Sequence, residues 1–198
     1  MACMYRAAAI VSGLWLLFSP ALAGAAGKPA AVDAARLSAA DREAGDWMSY
    51  GRTYGEQRFS PLSKVNENNI DRLGLAWQFK YDLDRVVEAT PIVVDGVLYT
   101  TGAYSMVCAL DATNGKLLWK YAPEVYRRIQ GSGCCDAANR GVAVWKGRVY
   151  VGVYDGRLVA LDARTGRKAW SVDTVIDHER NYTITGAPRV VKGKAIIG

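Results

Sequence analysis

The sequence predicts an all-β protein assembled from the blades of a β-propeller. A run that begins Ala-Leu-Asp-Ala and closes on tryptophan at residues 109–119 recurs at residues 160–170, 51 residues further on. The strand-like runs that precede the two copies, residues 93–99 and 144–150, match at the same shift. This period is too long for most solenoid repeats and suits a blade of four antiparallel strands. Asp-Gly, Lys-Gly and Asn-Gly pairs between the runs supply the positive φ angles that tight hairpins need.

The first 23 residues have the pattern of a secretory signal peptide. Arg6 supplies a positive charge, residues 7–18 are apolar, and residues 21–23 form a small-x-small cleavage site. The apolar run is shorter than the roughly 20 residues that a membrane-spanning helix needs, which disfavours the alternative of an uncleaved anchor. We therefore expect export to the periplasm, where disulfides persist.

The rest of the chain divides into a tail and a partial propeller. Residues 24–45 are Ala-rich with interspersed charges and predict a loose N-terminal tail that includes a short helix. Residues 46–198 predict about the first three blades, with strands closing at Trp77, Trp119 and Trp170. We expect these tryptophans to pack between neighbouring blades. Propellers close into rings of four to eight blades, so the sequence is expected to be incomplete.

Charge and motifs disfavour several classes of function. The formal net charge is +6, but Lys and Arg are scattered singly, so a nucleic-acid surface is not favoured. The same basic surface would suit an acidic redox partner equally well. The sequence has no Gly-rich phosphate loop between a strand and a helix, no zinc-ligand spacing and no Cys-x-x-Cys-His haem motif.

Three cysteines remain after removal of the signal peptide, and two of them are adjacent. Cys134 and Cys135 have Cα atoms about 3.8 Å apart across a trans peptide, whereas an ordinary disulfide needs roughly 4.4 Å or more. A bond between them would form a strained ring of the kind that tends to lie at functional sites. Two separate thiols, or one of the pair bonded to Cys108, are the alternatives that the residues leave open.

Three polar side chains lie at the openings of successive blades. The repeat aligns the openings at residues 88–91, 139–142 and 185–188, which carry Glu88, Arg140 and Thr185, and innermost strands line the propeller axis, where ligands bind. Without further context, Glu88 would be a solvated strand-edge carboxylate and Arg140 a surface ion-pair residue. The alignment instead predicts that the three side chains converge.

Four further residues have simpler interpretations. His178 lies in a polar run between strands and is expected to be solvated. Cys108 lies in an apolar strand and is expected to be a buried thiol. Asp111 and Asp162 precede turns and are expected to cap backbone amides.

Three segments near the start of the predicted propeller, residues 46–52, 59–62 and 65–73, closely resemble the N-terminal signature of quinoprotein dehydrogenases. This family includes methanol and ethanol dehydrogenases and is built as an eight-bladed β-propeller. Ile70, where valine is usual, is the notable departure. The tryptophan-ending repeats resemble the family's docking motifs, and the resemblance extends from Asp46 to Gly198.

The resemblance implies oxidation of a primary alcohol to an aldehyde by pyrroloquinoline quinone (PQQ), with electrons passed to a cytochrome c. It implies that Cys134 and Cys135 form a vicinal disulfide on one face of the quinone, and that Arg140 binds its carboxylates. Glu88 and Thr185 would complete the cofactor contacts in this chain.

The resemblance places the remaining machinery beyond Gly198. The ligands of a Ca²⁺ or lanthanide ion and the catalytic aspartate belong there, so we expect no catalytic residue or metal ligand in this chain and no turnover by it alone. A haem c in a C-terminal domain and loose membrane association of the full enzyme stay open. The alternative is a non-catalytic periplasmic β-propeller scaffold that resembles outer-membrane assembly proteins.

Overall fold

The computed structural model describes residues 29–83, 85–125 and 133–198, and gives only the backbone of residues 134 and 135. The described strands form two four-stranded antiparallel sheets and a two-stranded sheet. The first sheet has the order β1-β2-β3-β4, the second β6-β7-β8-β9, and the third β10-β11. The predicted signal peptide, residues 1–23, lies outside the described residues.

The elements follow the repeat seen in the sequence. Within the described residues, one α-helix (α1, Ala34–Ser38) and three short 3-10 helices (Ala40–Arg42, Ile70–Arg72 and Ala103–Ser105) accompany the strands. The strands are β1 (Ile92–Val94), β2 (Val97–Thr101), β3 (Val107–Asp111), β4 (Leu117–Tyr121), β5 (Cys134–Ala137), β6 (Ala143–Trp145), β7 (Arg148–Gly152), β8 (Arg157–Asp162), β9 (Lys168–Asp173), β10 (Arg189–Val191) and β11 (Lys194–Ile196). None of the helices within the described ranges is both long enough and apolar enough to cross a bilayer.

The two complete sheets are copies of one blade with the same register. In the first, Ala109 pairs with Tyr99 on one side and Trp119 on the other. In the second, Ala160 pairs in the same way with Tyr150 and Trp170. Both sheets also shift register directly after that alanine, at Ala109/Leu110 and at Ala160/Leu161. The prediction of repeated four-stranded blades is therefore confirmed for these two units.

Two of the three tryptophans predicted to pack between neighbouring blades, Trp77 and Trp119, do so in the structure. Trp77 lies against Gly115 in the last turn of the first blade, and Trp119 lies against Gly166 in the same turn of the second. The Trp119 indole N–H also donates to the carbonyl of Ala163 at 3.0 Å. Trp170, on the exposed strand β9, is 42% exposed.

The N-terminal segment is packed where the sequence suggested a loose tail. Ala30, Val32 and Leu37 are buried in the core shared by the two blades. The backbone carbonyls of Ala30 and Val32 accept hydrogen bonds from Gly147 and Lys146 at 2.9 and 2.8 Å. The expectation of looseness is wrong for residues 29–45, because small apolar side chains and backbone bonds seat this segment against the β6–β7 turn.

One arginine ties the same segment to the first blade. The Arg36 guanidinium contacts carboxylate oxygens of Glu43, Asp46 and Asp95 at 2.5, 2.9 and 2.6 Å. These bonds raise the pKa of Arg36 and lower the pKa of Glu43, whereas burial raises that of Asp46. Since Asp95 lies in the β1–β2 turn, the network joins α1 to the inner hairpin of the blade.

Candidate functional site

The three polar side chains from the aligned blade openings lie side by side. Glu88 Oε2 is 3.1 Å from Arg140 Nη2, and Arg140 Nη1 donates to Thr185 Oγ1 at 2.7 Å. The side chains of Glu88 and Arg140 are each 36% exposed, so the pair is accessible to a ligand. The structure therefore brings together three of the five residues predicted to bind the cofactor.

Backbone hydrogen bonds between blades set the spacing of this cluster. The Thr90 N–H donates to the Arg140 carbonyl at 3.1 Å, and the Arg140 N–H donates to the Thr185 carbonyl at 2.9 Å. Gly141 permits this approach: its φ is 127°, and a Cβ there would lie 2.9 Å from the Thr90 carbonyl oxygen. Only glycine fits both the angle and the contact.

Asn139 is a buried anchor whose role the sequence did not reveal. Its side chain donates to Ser105 Oγ at 3.1 Å and to the Gly152 carbonyl at 2.9 Å, and its Oδ1 accepts from Gly141 N at 3.1 Å. The residue is 1% exposed. A buried amide with three partners fixes the backbone next to Arg140. Its place in the blade opening beside Arg140 was the one signal available.

A second anchor holds the start of the same segment. The Gly133 N–H donates to the Tyr154 hydroxyl at 3.0 Å, and Arg85 pairs with Asp136 at 2.8 Å. The Arg85 guanidinium also lies 5.7 Å from the centre of the Tyr104 ring. Sequence reasoning missed Tyr154, Arg85 and Tyr104, because nothing in the repeat relates them to residues 133–136.

The adjacent cysteines begin strand β5, but their side chains lie outside the described part of the structure. The predicted Cys134–Cys135 disulfide therefore stays a prediction. Cys108 is a free, fully buried thiol, as predicted, and burial raises its pKa to about 11. His178 is half-exposed and lies 2.9 Å from an oxygen of Asp173.

The two turn aspartates act as predicted. Asp111 accepts from the backbone N–H and the hydroxyl of Thr113 at 2.8 and 2.5 Å. Asp162 accepts from the same two groups of Thr165 at 3.0 and 2.8 Å. These hydrogen bonds, led by the threonine hydroxyls, lower the pKa of both carboxyl groups.

The cluster fits a ligand that carries carboxylate groups and hydrogen-bonding edges. A guanidinium offers five N–H donors in a planar fork that matches carboxylates, and Arg140 is partly exposed. Glu88 adds an acceptor and Thr185 a hydroxyl within reach of the same guanidinium. Among the residues that the structure describes, no group of three or more His, Cys, Asp or Glu side chains is placed to hold a metal ion.

Comparison with known proteins gives a consistent assignment. The family model for the β-propeller domain of PQQ-containing glucose, ethanol and alcohol dehydrogenases matches residues 47–198. The quinohemoprotein alcohol dehydrogenase ADH-IIG of Pseudomonas putida is 63% identical over 193 residues, which is 98% of this chain and 27% of that protein. Its solved structure from strain HK5 superposes with a TM-score of 0.86 at 66% identity, covering 87% of this chain and 25% of that one.

Two further proteins agree. The quinohemoprotein alcohol dehydrogenase of Comamonas testosteroni superposes with a TM-score of 0.82 at 47% identity, over 85% of this chain and 25% of that one. The 1-butanol dehydrogenase (cytochrome c) of Thauera butanivorans is 53% identical over 154 residues, covering 78% of this chain and 22% of that protein. The chain thus spans about a quarter of the length of the relatives that it matches.

Proposed function

The chain belongs to the PQQ-dependent family of glucose, ethanol and alcohol dehydrogenase β-propellers, and from this we infer that it is the N-terminal part of an enzyme that oxidises a primary alcohol to an aldehyde. The observation that carries the inference is the cluster of Glu88, Arg140 and Thr185, drawn from three successive blade openings. The P. putida and C. testosteroni relatives, both named alcohol dehydrogenases, support it.

Each residue of the cluster has a distinct part in holding PQQ. Arg140 binds a carboxylate of the cofactor, since paired charged hydrogen bonds are the strongest that a side chain can offer. Thr185 orients the guanidinium through the bond at Nη1, and Glu88 balances its charge and accepts a hydrogen bond from the cofactor's edge. When bound, PQQ supplies the two-electron acceptor for alcohol oxidation, and the protein supplies binding and orientation.

The finer parts of the proposal concern residues and partners outside this sequence. We assign the ligands of a Ca²⁺ or lanthanide ion, and the carboxylate that takes the alcohol proton, to later blades. A metal ion beside the quinone would act as a Lewis acid. The electron acceptor is a cytochrome c, supported by the printed name of the T. butanivorans relative. We place the enzyme in the periplasm on the basis of the predicted signal peptide, residues 1–23. A C-terminal haem c domain and loose membrane association of the full enzyme are compatible with this proposal.

The scaffold alternative is less well supported. A scaffold has no need for a guanidinium, a carboxylate and a hydroxyl converging where three blades meet, and the relatives at 47–66% identity are dehydrogenases. An enzyme that binds a flat, carboxylated cofactor needs such a set.

The test uses the full-length gene product that carries this sequence, purified without PQQ. Addition of PQQ and Ca²⁺ should produce oxidation of primary alcohols with an artificial electron acceptor, and PQQ should quench tryptophan fluorescence. Arg140→Gln should weaken PQQ binding, whereas Arg148→Gln, which removes a similarly exposed arginine paired with Asp162 at 3.7 Å, should not. Absence of PQQ binding by the unaltered protein would refute the proposed function.

A further inference from the structure

The segment that leads into the second blade is held by three buried residues, Tyr154, Ser105 and Asn139, which we call the frame. Residues 133–141 contain the adjacent cysteines and Arg140, and both ends of the segment are fixed by side chains from the β2–β3 and β7–β8 connections. We propose that Tyr154, Ser105 and Asn139 are positioning residues that hold this segment ready to bind PQQ. The proposal rests on the proposed function of the Glu88–Arg140–Thr185 cluster.

Ser105 is the centre of the frame. Its hydroxyl oxygen accepts a hydrogen bond from Asn139 Nδ2 at 3.1 Å and another from the Tyr154 backbone N–H at 3.0 Å. Ser105 lies in the first blade and Tyr154 in the second, so this oxygen joins the two connections. Ser105 and Tyr154 are 0% exposed, so water cannot replace either partner without a rearrangement.

Tyr154 links the frame to the start of the segment, at Gly133. Its hydroxyl accepts from the Gly133 N–H, directly before Cys134, and a Cβ at position 133 would collide with that hydroxyl. The Tyr154 ring packs edge-on against Tyr104, with ring centres 6.3 Å apart. The hydroxyl is therefore fixed by ring packing, and it fixes Gly133 in turn.

Asn139 links the frame to the other end of the segment, at Gly141. Its Oδ1 accepts from Gly141 N, and its backbone carbonyl accepts from Thr101 Oγ1 at 3.1 Å. Arg140 thus sits between two residues whose backbones are fixed by buried bonds. A ligand that binds Arg140 and the neighbouring segment does not have to order either, and this saves conformational entropy on binding.

Backbone conformation gives a further reason for a function at this place. Tyr104, Ser105 and Asp136 have φ angles of 54°, 60° and 55°, in the left-handed region that non-glycine residues avoid. Such residues cluster where surrounding structure imposes a particular geometry, often at ligand sites. All three lie in, or next to, the contacts that hold residues 133–141.

The test compares two buried tyrosine hydroxyls in the full-length protein. Tyr154→Phe removes the bond to Gly133, whereas Tyr99→Phe removes a bond from the first blade to the second, from the Tyr99 hydroxyl to the Ala163 carbonyl at 3.2 Å. Both residues are 0% exposed, so the two changes should lower the thermal midpoint similarly. We expect Tyr154→Phe to raise the Kd for PQQ about three- to tenfold, the value of one hydrogen bond, and Tyr99→Phe to change it less than about twofold.

Hydrogen exchange of the protein without PQQ gives a second readout. The peptide covering residues 133–141 should exchange faster in Tyr154→Phe than in the unaltered protein, and at an unchanged rate in Tyr99→Phe. Ser105→Ala, which removes the shared acceptor, should act in the same direction as Tyr154→Phe on both readouts.

The outcomes separate the two proposals. If the unaltered protein binds no PQQ, the proposed function fails. If it binds PQQ, and Tyr154→Phe and Ser105→Ala bind it as tightly, the frame has no positioning role. An equal loss of PQQ affinity in Tyr99→Phe would also refute the positioning role of the frame, because the loss would then result from general destabilisation of the protein.

Discussion

Gly166→Ala should destabilise the junction between the two blades far more than Gly96→Ala. Both glycines have positive φ angles, 69° and 76°, so both substitutions cost about 1 kcal/mol for placing a Cβ in the left-handed region. A Cβ at position 166 would also lie 2.5 Å from Trp119 Cε3, whereas a Cβ at position 96 meets nothing within 4 Å. Trp119 is 9% exposed and hydrogen-bonded, so it cannot move aside freely. Overpacking adds about 1–3 kcal/mol, for a total of about 2–4 kcal/mol.

The assay is thermal unfolding of the two variants in the full-length protein, followed by tryptophan fluorescence under identical conditions. Gly166→Ala should lower the midpoint at least about twice as far as Gly96→Ala, given the ratio of the two expected costs. Gly115→Ala should resemble Gly166→Ala, because its Cβ would lie 2.5 Å from Trp77. Equal midpoints for Gly166→Ala and Gly96→Ala would refute the view that tryptophan packing on glycine fastens the blades.

Three further predictions concern the site, the buried thiol and the turns. Thr185→Val should raise the Kd for PQQ about three- to tenfold, measured by fluorescence quenching, because Arg140 loses its bond to the hydroxyl. Cys108 should resist alkylation at pH 8, because burial raises its pKa to about 11; mass spectrometry of the labelled protein measures the rate. Asp162→Asn should lower the thermal midpoint slightly at pH 7, and the difference should shrink as the pH falls below about 4.

The signs of the pH effects follow from where each pKa moves. The pKa of Asp162 is depressed in the folded protein, so its contribution is present above the unfolded pKa and is lost as the pH falls through the folded one. The pKa of Cys108 is raised, so the folded state is favoured below the unfolded pKa and loses that advantage as the pH rises towards about 11.

Each of these predictions has a result that would contradict it. For Thr185→Val the control is Thr100→Val, which removes a bond to Tyr81 away from the site; an equal rise in the Kd for both would contradict the assignment. Rapid labelling of Cys108 at pH 8 in the native protein would show that the strand opens. A constant difference between Asp162→Asn and the unaltered protein from pH 7 to pH 3 would exclude the carboxylate as its cause.

The repeat made much of the fold and part of the site predictable. Equivalent segments in successive blades must lie at equivalent places in the structure, so aligning the openings that carry Glu88, Arg140 and Thr185 was enough to predict their convergence. The repeat did not assign the individual side chains, because the 51-residue shift pairs Glu88 with the buried Asn139 and not with Arg140. The packing of Trp77 and Trp119 between neighbouring blades was predictable for the same reason as the convergence, whereas their glycine partners, Gly115 and Gly166, were found only in the structure.

Contacts that the repeat does not encode could not be predicted. Tyr154 and Ser105 meet across 49 residues, through two connections of different conformation, and neither residue recurs at the same place in the other blade. The packing of Ala30 and Val32 was hidden in the same way. A short Ala-rich stretch has the composition of a loose tail, and its order depends on backbone groups at Lys146 and Gly147.

Two backbone hydrogen bonds, from Thr90 to Arg140 and from Arg140 to Thr185, set the positions of the three blade openings. The side chains at these openings supply the groups that a ligand meets. Neither bond involves a side chain, so the spacing of the three openings depends on Gly141 and Asn139 and not on the side chains that Arg140 and Thr185 offer to a ligand. A substitution of one of these side chains changes the group offered to the ligand and leaves the neighbouring blade openings in register. The ligand groups of this site can therefore change through Arg140 or Thr185 alone, while the backbone bonds that set their spacing stay the same.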